Sequence, residues 1–207
     1  MEFIITIARQ CGSGGKEVGQ MLAKRLGIPC YDREIISMAS EDSGINPVLF
    51  EDEKLKSEFR ALLKGNYMGT EPLRPESAGF TKDDNLYNFQ RKVIQQIGQS
   101  GPCIIIGRCA DYVLREKKNL VRVFVHAPEE ACYEQFMKTS SLPEEEARRE
   151  IARTDEYRAK FYKYHTVQQW QDAHNYDLAL NSAQLGFEGT VEAIMAYLAV
   201  REKYQPE

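Results

Sequence analysis

A basic surplus, long apolar runs and paired cysteines are all missing from this chain. Its 207 residues hold 27 Lys and Arg against 31 Asp and Glu, a formal charge of −4. Nucleic-acid binding normally leaves a basic excess, so no nucleic-acid partner is expected, although a local basic pocket for a small phosphate stays open. No stretch approaches the roughly 20 apolar residues that cross a bilayer. The opening Met1-Glu2-Phe3-Ile4-Ile5 has no basic n-region and no signal-length apolar core. The expectation is a cytoplasmic protein with no membrane partner. Cys11, Cys30, Cys103, Cys109 and Cys132 are odd in number and form no C-x-x-C pair. They read as free thiols in a reducing compartment. His126, His165 and His174 lack metal-ligand spacing, and no residue is assigned as a metal ligand. No internal repeat or low-complexity segment is present, and nothing in the sequence bears on oligomeric state.

What is there is ordinary globular material, 43% hydrophobic and 28% charged. The length suits one domain with an insertion and a core that needs no staples. Phe3 to Ala8 is a β-branched run that stops at Gly12-Ser13-Gly14-Gly15. From Lys16 the period becomes helical, through Val18, Met21, Leu22 and Leu26, and Gly27 is a natural terminator. A short strand at Ile28–Tyr31 and a helix from Arg33 follow. From 44 to 84 the helical spacing of Val48, Leu49, Leu55, Phe59, Leu62 and Leu63 gives way to Gly65, Gly69, Pro72, Pro75 and Gly79. Such a segment is either a ligand-covering piece or a solvated insertion.

A helix over 85–99 leads to Cys103-Ile104-Ile105-Ile106, all apolar, as in a strand buried on both faces. Val121 to Val125 is a second such strand. Ser141-Leu142-Pro143-Glu144 has capping-box spacing and opens a long charged helix to about Lys163. Leu178-Ala179-Leu180 is a last short strand, and 191–200 a last amphipathic helix. Strands alternating with helices predict a three-layer α/β fold with a mostly parallel five-stranded sheet.

The segment Gln10-Cys11-Gly12-Ser13-Gly14-Gly15-Lys16 carries the strongest chemical signal. Glycines let successive N–H groups turn inward around an anion, and the following helix N-terminus adds its dipole. Gly12, Ser13, Gly14, Gly15 and Lys16 are thus the candidate ATP-phosphate residues. Lys16 is placed to reach the β- and γ-phosphates. Against a Walker A loop two positions differ: Gln10 stands where the first glycine belongs, and Glu17 where the Mg²⁺-binding hydroxyl belongs.

The ordered series Ile4-Ile5-Thr6-Ile7-Ala8-Arg9-Gln10 with Gly12–Gly15, then Tyr31-Asp32-Arg33-Glu34, Ile106-Gly107-Arg108 with Ala110-Asp111, Thr154-Asp155 with Arg158, Tyr162 and Thr166, Asn175-Tyr176-Asp177-Leu178, Leu185-Gly186 and Glu188-Gly189 runs nearly end to end. In it the chain resembles the cytidylate kinase-like family of P-loop nucleoside monophosphate kinases. The resemblance implies a P-loop domain over 1–207, an acceptor-binding insertion at 44–84 and a lid at about 139–165. It also implies phosphoryl transfer from ATP, with Mg²⁺, to a nucleoside monophosphate, CMP or dCMP first.

In such kinases an Asp-Gly-Arg-Asp segment touches the acceptor. Arg108 carries over, while Ile106 and Cys109 replace the two aspartates. Asp111 is then an acceptor candidate or a helix cap, and Asp32 and Arg33 are an acceptor pair or a cap. Lys16, Arg108, Arg153 and Arg158 are the candidate catalytic residues. Arg153 and Arg158 match the lid pattern, with a surface ion-pair ladder such as Glu145–Arg149 as the plain alternative. Lys82 and Arg91 stay undistinguished from surface residues. Tyr157, Phe161, Tyr164 and Trp170 read as packing against the sheet. Two other functions remain: a P-loop kinase for a different small-molecule acceptor, and a nucleotide-binding regulatory protein with little turnover.

Overall fold

β1 (Ile4–Arg9) is buried along nearly its whole length. It lies at the centre of a five-stranded, all-parallel sheet in a computed structural model that describes residues 2–51, 71–74, 77 and 83–204. The other strands are β2 (Cys30–Tyr31), β3 (Cys103–Ile106), β4 (Leu120–His126) and β5 (Leu178–Asn181), in the order β2-β3-β1-β4-β5. β1 pairs with β3 on one side, Ile5 facing Ile104, and with β4 on the other, Arg9 facing Val125. The continuous apolar run of β3 is the signature of a strand covered on both faces, and Ile104, Ile105 and Ile106 are fully buried. Each such side chain contributes roughly 1.5–3 kcal/mol by leaving water.

The chain forms two compact units, Met1–Cys30 with Gly101–Glu207, and Tyr31–Ser100. In the first, α1 (Gly15–Leu26) ends at Gly27, whose left-handed backbone (φ 66) lets its N–H bond Ala23 O. Val18 and Leu22 on its inner face join Ile5, Ile7, Ile104, Ile106, Val123 and the last helix in one core. Two further helices follow strands of this unit, α5 (Ala110–Val113) after β3 and α6 (Glu129–Met137) after β4. α7 (Glu144–Thr166) is a single helix, with Glu144, Glu145 and Glu146 in its first turn and Lys163 and His165 in its last, charges that complement its dipole. The capping box expected from Ser141 does not form: Pro143 takes the N-cap position and no side chain caps the helix. The final helix α8 (Ser182–Tyr204) begins earlier than its apolar period predicts, and it is broken at Gly186 (φ 66, ψ 174).

In the second unit α2 (Glu34–Ser43) packs on α4 (Asp83–Ser100) through Ile35, Ile36, Ala39, Val93, Ile94 and Ile97. The Lys92–Asp42 ion pair (2.9 Å) closes the edge of that contact. A short α3 (Val48–Glu51) adds Phe50. Leu55, Phe59, Leu62, Leu63, Gly65, Gly69, Pro75, Gly79 and Lys82 lie outside the described residues. Among the described residues no helix is long and apolar enough to cross a membrane.

Candidate functional site, a phosphate loop at the strand ends

In a parallel sheet ligands gather at the carboxyl ends of the strands, where the strand order reverses. Here that point is β1, with β3 and β4 on either side. The loop leaving β1 is fixed at its entry by Gln10. Its amide donates to Val125 O (3.1 Å) and its side-chain Oε1 accepts from Ala127 N (3.1 Å), prolonging the β1–β4 pairing by one residue. This is the physical reason a glutamine serves where a Walker loop has glycine. Gly12 follows with φ 75, and a Cβ there would overlap the backbone carbonyl of Cys132, so no other residue fits. Ser13 is buried, its hydroxyl donating to Gln10 O (2.9 Å), and Ser182 Oγ donates to Ser13 O (2.7 Å).

The loop therefore has its back satisfied and its front open. The amides of Gly12, Gly14, Gly15 and Glu17 have no backbone partner among the described residues. Three of them belong to the first turn or N-cap of α1, where unsatisfied N–H groups and the dipole favour an anion. Lys16 and Glu17 are exposed at that mouth.

α7 braces the loop from outside. Asp155 Oδ1 accepts from Cys11 N (2.7 Å), and Arg158 Nη1 donates both to Asp155 Oδ1 (3.3 Å) and to Arg9 O (3.1 Å). Burial pushes the Asp155 carboxyl up from its ordinary value, opposed by the Cys11 amide and by Arg158. Burial likewise raises the Cys11 thiol, against the pull of Arg158. One turn further along the same stripe, Tyr162 OH donates to Asp111 Oδ2 (2.6 Å). Asp111 is buried, and its carboxyl is lifted by desolvation while the Tyr162 hydroxyl and nearby amides lower it.

Between β3 and α5 three consecutive residues have left-handed backbones: Gly107 (φ 74), Arg108 (φ 56) and Cys109 (φ 54). For the two non-glycine residues this conformation costs about 1–3 kcal/mol each and persists only where surroundings impose it. Buried Cys109 and the Ala110 N to Gly107 O bond (3.1 Å) impose it here. The result is a half-buried Arg108 at the carboxyl end of β3.

The predicted residues thus fall into distinct groups. Gly12, Ser13, Gly14, Gly15, Lys16, Arg108 and Arg158 lie on the strand-end edge of one unit, and Asp111 sits beneath it. Arg153 of α7 is paired with Glu150 (2.8 Å) and half exposed. Arg149–Glu145 (2.5 Å) and Arg148–Glu144 (3.0 Å) form an ion-pair ladder on that helix. Asp32 and Arg33 belong to the other unit. Arg33 occupies the N-cap of α2 without a side-chain cap, and Glu34 holds the Asp32 amide (2.8 Å). Trp170 packs edge-on against Phe124 of β4 (5.4 Å), but Tyr164 is exposed, contrary to its helical spacing. The grip of Asp155 on Cys11, the hold of Gln10 on Ala127 and the bond from Arg158 to the Arg9 carbonyl have no signature in local spacing. Arg9 was legible as a charge ending an apolar strand.

Among the described residues no group of three His, Cys, Asp or Glu is placed to hold a metal ion. The Walker hydroxyl is replaced by exposed Glu17, and the Ser13 hydroxyl is engaged by Gln10 O.

A central strand, an open amide cradle ending in lysine and an arginine turn on the neighbouring strand define a P-loop kinase-type protein. The chain belongs to the cytidylate kinase-like family, whose model matches residues 4–184. In fold it is similar to an uncharacterized protein from Eubacterium ventriosum ATCC 27560, at 20% identity and TM-score 0.71, covering 95% of this chain and 98% of that one. It is also similar to shikimate kinase from Bacteroides thetaiotaomicron (13% identity, TM-score 0.56, 96% and 99% covered). A gluconokinase from Sinorhizobium meliloti 1021 is comparable (16%, 0.55, 99% and 98%). No curated protein matches the chain.

Proposed function

We propose that this protein is a cytoplasmic nucleoside monophosphate kinase that moves the γ-phosphoryl group of ATP to CMP or dCMP. The observation that carries this is the open row of amides at Gly12, Gly14, Gly15 and Glu17, set at the sheet's switch point with Lys16 beside it. The amides cradle the donor phosphates and Lys16 holds the β- and γ-groups. Arg108 grips the acceptor phosphate, with Asp111 of the same unit as a further acceptor candidate. Arg158 neutralises charge from the β1 end, and Arg153 joins from α7.

In the transfer an acceptor phosphate oxygen forms a bond to the γ-phosphorus as the bond to the β–γ bridging oxygen breaks, and ADP leaves with that electron pair. A phosphate oxygen is already ionised at neutral pH and needs no general base. This suits an edge on which Asp111 and Asp155 are both tied, to Tyr162 and to Cys11 with Arg158. A second acceptor class is favoured by one feature: Ile106 and Cys109 are buried and apolar where related kinases present aspartates. ADP release from Mg-ATP against a panel of ribo- and deoxyribonucleoside monophosphates separates the two. Turnover with CMP or dCMP supports the first, and turnover only with another small molecule supports the second.

A further inference from the structure

We propose that Phe187 is a positioning residue of the phosphate loop: its ring, carried on the kinked start of α8, holds the N-cap of α1 at Gly14 in its anion-binding conformation. This rests on the kinase reading above and adds to it a residue, outside the loop, on which the loop's affinity for phosphates depends.

Gly14 has a left-handed backbone (φ 74, ψ 12), and no side chain caps the helix it begins. Its carbonyl is fixed, accepting from Val18 N (2.9 Å), but its own amide and that of Gly15 have no backbone partner among the described residues. Glycine is the residue freest to leave such a conformation, so an anion cradle built on it stays ordered only where something packs against it. Phe187 does so. A Cβ on Gly14 would overlap Cε1 and Cζ of that ring, so the ring edge fills the space beside the Gly14 backbone. Phe187 is half-buried and is held from behind by the core that β1, α1 and α8 share. The backbone just before it, at Gly186 (φ 66, ψ 174), lies in a region that is essentially glycine-only, and Gly186 O accepts from Thr190 Oγ1 (2.6 Å). A Cβ on Gly186 would meet nothing within 4 Å, so the backbone angle alone requires glycine there. At the other end of this kinked segment Ser182 is buried and donates to Ser13 O (2.7 Å). The start of α8 thus holds two consecutive loop residues, Ser13 by a hydrogen bond and Gly14 by the ring. Such a wedge adds no contact to the ligand; it removes the ordering cost that the phosphates would otherwise meet.

The test is calorimetric titration of the full chain with ATP and with inorganic tripolyphosphate, which carries the phosphates without the nucleoside, for wild type, Phe187→Ala, Phe187→Leu and Gly186→Ala. NMR order parameters of the Gly14 and Gly15 amides are measured on the ligand-free proteins. Phe187→Ala is expected to lose about tenfold on both ligands, by the same factor, and Phe187→Leu, which keeps an apolar wedge, about threefold or less. Gly186→Ala, with its ring intact but its kink disfavoured, is expected to behave as Phe187→Ala does, and both to show lower order parameters than wild type. A loss confined to ATP, with tripolyphosphate bound as by wild type, would set the ring against the nucleoside and overturns the proposal. Folded Phe187→Ala that binds both ligands as wild type does overturns it too and leaves the kinase reading in place. A wild type that binds neither ligand is the separate failure of that reading, and unchanged order parameters in the variants then overturn the positioning role by themselves. If Phe187→Ala does not fold, Gly186→Ala decides, and wild-type affinities in it overturn the proposal.

Discussion

The amide of Cys11 donates to the carboxylate of Asp155 at 2.7 Å, across 144 residues of chain. With Arg158 bonded to both Asp155 and Arg9 O, this fixes the start of the phosphate loop to α7. A charge-assisted hydrogen bond of this kind is worth about 1.5–3 kcal/mol. Asp155→Ala is therefore expected to lower kcat/KM for ATP by roughly 10- to 100-fold. Asp155→Asn, which keeps an acceptor oxygen, loses less. Because burial raises the Asp155 carboxyl, activity falls on the acid side at a higher pH than a solvated aspartate would set, and Asp155→Asn removes that limb. Initial-rate kinetics across pH check both statements.

Asp111 gives a stability prediction with a definite sign. Its carboxyl is raised by burial, against Tyr162, its own amide, the Tyr112 amide and Arg122, while it in turn raises the Tyr162 and Tyr176 hydroxyls. Cys109 lies among the same groups. The folded chain then holds this proton more tightly than the unfolded one. Its stabilising contribution is complete below the ordinary carboxylate value and is lost as pH rises through the folded value. Asp111→Asn has no such titration and still accepts from Tyr162. Urea unfolding should show wild type losing stability relative to Asp111→Asn between acid and neutral pH. A constant difference across that window counts against a buried, ionising Asp111.

Val167 ends α7 with φ 63, and its N–H bonds Lys163 O (2.9 Å). A β-branched residue in that region is strained by about 1–2 kcal/mol, and its side chain is 87% exposed, so packing returns nothing. Val167→Gly relieves the strain but adds freedom to the unfolded chain. The expected net gain is about 0.5–1 kcal/mol, read as a higher denaturation midpoint with an unchanged slope.

Local periods were the legible part of this fold. The change from β-branched residues to helical spacing at Lys16 marked β1, the loop and α1, and the unbroken apolar runs at Cys103 and Val121 marked the inner strands. What local pattern could not show came from contacts made at long range. Ser141-Leu142-Pro143-Glu144 has the letters of a capping box, but Pro143, with its fixed φ and no N–H, suits the position just outside the helix and takes the cap. The grip of Asp155 on Cys11 and the bond from Arg158 to the Arg9 carbonyl join residues with no shared period. Neither could be read from spacing, although each residue stood inside a motif.

Whether the loop holds nucleotide phosphates for transfer is decided by ADP production from Mg-ATP with CMP or dCMP, measured for wild type and Lys16→Ala side by side. Acceptor-dependent turnover is expected in the wild type and a fall of at least about 1,000-fold in Lys16→Ala, with the thermal midpoint unchanged, because Lys16 is exposed and its proposed role is to stabilise charge on the phosphates. Equal turnover in the two proteins would contradict it.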